Sequence, residues 1–139
     1  MRVARIFLIV VSVVNGLLGI VCAVLLFVQP DGRFLQAGAL LPVIKTLPLA
    51  SVFFQDFRWI GVAMLLVLGI PNTIAAVMLL RRSKKQYLAT LGAAVLLVLW
   101  CSFELLYMFN GAAVGYFVVG VISFACSVAL MKPAAPADA

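Results

Sequence analysis

Apolar residues along this chain gather into four unbroken runs, roughly Ile6 to Val28, Trp59 to Leu80, Tyr87 to Phe109 and Ala112 to Met131. Crossing a bilayer takes about 20 residues at about 1.5 Å each, so every run is long enough. In hydrocarbon the backbone N–H and C=O groups must be satisfied within the segment, which predicts helix for all four. Strands of a membrane barrel would be shorter and would alternate, and these runs do not. The pattern therefore predicts an all-α polytopic membrane protein, a single four-transmembrane-helix bundle over residues 1–132. The Ala/Pro-rich residues 133–139 read as a disordered tail.

The breaks between runs are unequal. Residues 29–57 form the one long connection, opened as a turn by Pro30-Asp31-Gly32 and barred from a long helix by Pro42 and Pro48. Its Leu40, Leu41, Val43, Ile44, Leu47, Leu49, Val52, Phe53 and Phe54 are too apolar for a free aqueous loop. The segment is expected to lie on the membrane surface or to fold back over the bundle, as a structural cap or as a substrate lid. Runs two and three are joined by the basic Arg81-Arg82-Ser83-Lys84-Lys85. Asn110-Gly111 makes a tight turn that sets runs three and four as an antiparallel hairpin.

Basic residues orient the chain. With the N-terminus inside, Arg2, Arg5, Arg81, Arg82, Lys84, Lys85 and Lys132 face the cytoplasm, and Arg33, Lys45 and Arg58 face out. Asp31 and Asp56 partly offset the outer set. Seven against three places both termini in the cytoplasm and makes 29–57 an extracytoplasmic cap between helices one and two. Trp59 and Tyr107 then fall near the outer interface and Tyr87 near the inner one, where amphipathic rings settle. Arg2 and Arg5 before the first run resemble the start of a signal peptide. The run is too long for an h-region, however, and no small-x-small cleavage site follows, so it reads as a retained helix.

Composition narrows the class further. Hydrophobic residues are 67% of the chain and charged residues 10%, against about half and a quarter in soluble domains, so a water-exposed surface could not be covered. A net charge of +6 is too thinly spread to suggest a nucleic-acid partner. The chain has no His, and Cys22, Cys101 and Cys126 sit singly in apolar runs without a CxxC pair. Neither a metal site nor a cofactor is signalled. Paired carboxylates and an oriented nucleophile–base pair are also missing, so no enzyme is expected.

Each run carries one stripe of small or polar residues at helical spacing. These are Ser12, Asn15, Gly16, Gly19, Cys22 and Ala23 in the first, and Arg58, Gly61, Gly69, Asn72 and Ala76 in the second. The third has Ala89, Thr90, Ala93, Cys101, Glu104 and Tyr107, and the fourth Ala113, Tyr116, Gly120, Ser123 and Ser127. Small residues let helices approach and polar ones bond across them, so the stripes are expected to face inward.

Three features on the stripes are candidates for function. Asn15 and Asn72 lie at matched depths, roughly 14 and 12 Å from the cytoplasmic ends of their helices, and are expected to face each other. They would form a structural hydrogen bond or the lining of a path. Glu104 is the one acidic residue within a run, and an ionisable group at membrane depth points to function by default. Arg58, at the outer end of the second run, is its expected partner in a buried ion pair; the alternative is a proton- or cation-linked carboxylate. Glu104, Arg58, Asn15, Asn72 and Tyr107 thus make up the candidate intramembrane polar site.

Pro30-Asp31-Gly32, then Phe54-Gln55-Asp56-Phe57 leading into a Gly-containing second helix, then a basic loop and Trp100-Cys101-Ser102-Phe103-Glu104, give residues 10–110 a resemblance. The chain resembles small uncharacterised bacterial four-helix integral membrane proteins. That resemblance implies the bundle and a bacterial cell membrane, and brings no established activity. Small multidrug-resistance transporters carry their essential Glu in the first helix, whereas this chain has it in the third, so that likeness is not adopted. The leading expectation is a non-catalytic accessory or assembly component of the cytoplasmic membrane. Its partners would be the lipid bilayer and either another membrane protein or further copies of itself. The alternative is a small oligomeric transporter or channel using Glu104 and the Asn15/Asn72 pair.

Overall fold

The computed structural model describes residues 2–47 and 49–131; Pro48, Lys132 and the 133–139 tail lie outside the described residues. Four long helices dominate: α1 Arg2–Val28, α2 Arg58–Leu80, α3 Gln86–Tyr107 and α4 Gly111–Met131. All four are long and apolar enough to cross a membrane, and no strand occurs among the described residues. Helices consecutive in the chain are neighbours in space, and a thinner contact between α1 and α4 closes the ring.

Small residues set the α1–α2 seam. A Cβ on Gly16 would meet Thr73 Oγ1 at 2.9 Å, and one on Gly19 would meet Leu68 Cβ at 2.7 Å and Gly69 Cα at 2.8 Å. Gly61 stands against Ala23 and Leu26. The partner numbers fall as the α1 numbers rise, so the two helices are antiparallel and touch nearly backbone to backbone. The inward stripe largely follows the helical spacing: Ser12, Asn15, Gly16, Gly19 and Ala23 of α1 and Ala113, Gly120, Ser123 and Ser127 of α4 are buried. Between α3 and α4, Ser127 Oγ donates to Thr90 Oγ1 at 2.8 Å, a buried hydrogen bond between helices.

α2 is not regular. Pro71 has no N–H to offer one turn back, and ahead of it Leu65–Gly69 forms a π turn, in which Ile70 N–H donates to the Leu65 carbonyl. Prolines within membrane helices survive because other donors re-satisfy the backbone. Here Asn72 Nδ2 donates to the Leu68 carbonyl at 3.0 Å and Thr73 Oγ1 to the Gly69 carbonyl at 2.7 Å.

The 29–57 segment is built of short pieces: 3-10 turns Arg33–Leu35 and Gly38–Leu40, and single helical turns Leu41–Ile44 and Ala50–Phe53. Pro42 sits in the first turn of Leu41–Ile44, where its missing N–H costs nothing. Phe57 N–H donates to the Pro30 carbonyl at 3.0 Å, clipping the two ends of the segment together. Gly32, at φ 74°, is the conformation that side chains disfavour, and a Cβ there would meet the Phe57 ring at 2.9 Å. Each end also carries an Asp-x-Arg clip. Asp31 Oδ1 accepts from Arg33 N–H and Asp56 Oδ1 from Arg58 N–H, and each carboxylate pairs with the guanidinium of the same Arg. Apolar side chains anchor the segment to the bundle: Ile44, Leu47 and Phe57 are buried in one cluster with Leu26, Ile60 and Met108.

Candidate functional site

The five residues singled out from the sequence do not form one site. Glu104 is half-buried on α3, one turn after Trp100, whose Nε1–H donates to its Oε1 at 2.8 Å. The spacing of four residues stacks the two side chains on one helix face. Arg58 does not reach Glu104. It opens α2 with its side chain 63% exposed, and its Nε lies 3.6 Å from Asp56 Oδ2. The physical reason is solvation. An aspartate two residues away lets the guanidinium stay in the polar layer, whereas a descent to Glu104 would strip its water.

Tyr107 also leaves the expected site. It is 51% exposed, and its ring packs on Phe103 with centroids 5.0 Å apart. It lies three residues from Glu104, and Trp100, Phe103 and Tyr107 continue as an aromatic series along α3. Asn15 and Asn72 are both buried, each 4% exposed, on the helices that share the glycine seam. No hydrogen bond joins them among the described residues. The Asn72 amide is committed to the Leu68 carbonyl of its own helix, and Asn15 Nδ2 is buried without a partner. The π turn explains this, because it leaves carbonyls on α2 that compete for the Asn72 donor.

Glu104 lies instead on a cavity of about 230 Å³ at the end of the bundle that carries the 29–57 segment. Every helix contributes to the wall: Cys22 and Leu26 from α1, Ile60 and Leu68 from α2, Trp100, Cys101 and Glu104 from α3, and Tyr116 from α4. Leu35, Ala37, Leu40, Ile44 and Phe57 of the segment complete it. Among the described residues no Lys or Arg lines this cavity, and Glu104 is the one carboxylate that does. Asn110 belongs to the same wall and has a second task. Its Oδ1 accepts from Ala113 N–H at 2.8 Å, capping α4, while its Nδ2 donates to the Met108 carbonyl at 2.9 Å. Asn15 and Asn72 do not line the cavity.

Sequence reasoning placed Glu104 and Tyr116 on inward stripes but missed the cavity and its lining from the 29–57 segment. A signal existed in the apolar Leu40, Ile44 and Leu47, whose spacing of three and four residues marks a buried face even in short turns. Among the described residues there is no group of three or more Cys, Asp and Glu side chains that could hold a metal ion. No protein-family model, no curated protein and no solved structure matches the chain.

Proposed function

We propose that the protein is a non-catalytic integral membrane component with both termini in the cytoplasm and residues 29–57 as an extracytoplasmic cap. It acts as an accessory or assembly partner through its helix faces and that cap. The observation that carries this reading is how the hydrogen-bonded polar groups inside the bundle are spent. Buried Asn72 donates to a carbonyl of its own helix, as do the less buried Thr73 and Ser102, and buried Ser127 donates across the bundle to Thr90. Groups used this way are taken up inside one helix or in joining two, and do not line a continuous route. The outward faces support the same reading. Leu17, Leu66, Leu99 and Leu106 present large aliphatic side chains suited to lipid or to a neighbouring helix. Purification in a mild detergent tests it: a stoichiometric partner or a defined homo-oligomer is expected to co-elute.

A second reading, a small oligomeric carrier, is favoured by one observation, the position of Glu104 on a cavity without a basic residue. Reconstituted vesicles separate the two. Flux that is lost on Glu104→Gln selects the carrier; a partner that is retained on Glu104→Gln, with no flux, selects the accessory component.

A further inference from the structure

We propose that the cavity under the 29–57 segment is a binding site for a small lipophilic amine, whose ammonium pairs with Glu104 and whose hydrocarbon body fills the apolar volume. The inference goes beyond the accessory reading and stands without it.

Size is the first argument. An engineered apolar cavity of about 150 Å³ stays dry and holds benzene. The present cavity, about 230 Å³, has room for an aromatic ring with a short chain attached. Its walls are mostly hydrocarbon, and one convergent polar group among apolar walls is how small-molecule sites fix a ligand's orientation.

Charge is the second argument. A carboxylate withdrawn from water needs a cation or several donors. Trp100 Nε1–H supplies one donor to Oε1. At the same end of the bundle Arg58 pairs with Asp56 and Arg33 with Asp31, both with exposed guanidinium side chains. The acceptor capacity left on the carboxylate thus faces a wall with no protein cation. An amine entering in its protonated form brings both the proton and the charge. Phe57, Trp100 and Tyr116 share the wall with Glu104, and aromatic rings around an ammonium add cation–π attraction. An ionised acid would be repelled by Glu104, and a neutral hydrocarbon would leave its acceptors unused.

Covering is the third. The wall contributed by Ala37, Leu40, Ile44 and Phe57 belongs to a segment clipped at its base by the Phe57–Pro30 hydrogen bond. That arrangement covers one side of the site with protein, so a charge pair formed there is less screened than one on an open surface.

The test uses the full chain in nanodiscs of neutral phosphatidylcholine, with 2-phenylethylamine and its isostere 2-phenylethanol as probes. The amine is expected to bind about tenfold or more tightly than the alcohol, the gain of a charged over a neutral hydrogen bond. Glu104→Gln should abolish that preference and keep the weak alcohol binding. Cys22→Phe, which fills the cavity, should remove both. A structural readout accompanies the affinities: the ¹⁵N-indole resonance of Trp100 should shift with amine, while that of Trp59, which packs on Phe53, stays fixed. Equal binding of amine and alcohol to the unmodified protein overturns the proposal, and this comparison holds even if a variant fails to fold. An amine preference that survives Glu104→Gln, or an unmoved Trp100 resonance at saturation, overturns it equally.

Discussion

Arg5, in the first turn of α1, donates from Nη2 to the carbonyl of Leu79 near the end of α2 at 2.9 Å. The last carbonyls of a helix have no partner within it and carry its negative end, so a cation there satisfies a hydrogen bond and a dipole together. Arg5, which the sequence offers as a topology signal, is therefore a clamp between two helices. Arg5→Met is expected to cost about 1–2 kcal/mol, and Arg5→Lys to recover part of it. Thermal unfolding in detergent checks both, and a Met variant as stable as the unmodified protein would remove the clamp from the account.

Glycines divide into two kinds, and substitution to Ala should separate them. At Gly19 a methyl group would meet Leu68 and Gly69 of α2, so Gly19→Ala is expected to destabilise by about 1–3 kcal/mol. At Gly92 it meets nothing within 4 Å, so Gly92→Ala should be neutral or stabilise by up to about 1 kcal/mol. Melting temperatures of the two variants, measured side by side, are expected to move in opposite directions or to leave only Gly92→Ala unchanged.

Ile44 is fully buried although it lies in the connection rather than in a long helix. Ile44→Ala removes packing against Leu26 and Met108 and is expected to cost about 2–4 kcal/mol. Limited trypsin digestion reports where that loss falls, because Lys45 beside it is exposed. Faster cleavage at Lys45 with the helices intact is the expected pattern. Unchanged cleavage would show the segment to be independent of the bundle.

Orientation is testable with single cysteines in a background where Cys22, Cys101 and Cys126 are replaced. An impermeant thiol reagent added to intact cells is expected to label Gln36→Cys and to spare Ser83→Cys. The warrant is the basic excess on the Ser83 side. The reverse pattern would invert the protein in the membrane and put the Glu104 cavity on the cytoplasmic side.

What was legible in the sequence depended on how local the cause was. Four helices and most of their inward faces follow from run length and spacing, because small residues at positions such as Gly16, Gly19 and Gly120 have no other use in a bilayer. The partner of Glu104 was not legible. Spacing along α3 explains the Trp100 bond, but the loss of Arg58 to Asp56 is a competition between two carboxylates at different depths, and depth alone favoured the wrong one. Asn15 and Asn72 show the same limit. Both are buried at related levels, yet the π turn before Pro71 gives Asn72 an acceptor on its own helix. The cavity needed four helices and the 29–57 segment together, so no single stretch of sequence announces it.

The π turn of α2 separates two properties that the same residues encode. The wide turn holds one residue more than an ordinary helical turn, because Ile70 bonds to Leu65 across five residues. Deleting one residue between 65 and 69 would let the turn close as ordinary helix and keep Asn72 and Leu79 on the faces they now show. Deleting one residue between 74 and 78, where the helix is regular, has no surplus to draw on. It would rotate Leu79 by about 100° off the seam, and Arg5 would lose the carbonyl it holds. Membrane insertion reads only the average greasiness of the stretch, so both shortened chains should enter a bilayer, and only the second should be found wrongly assembled.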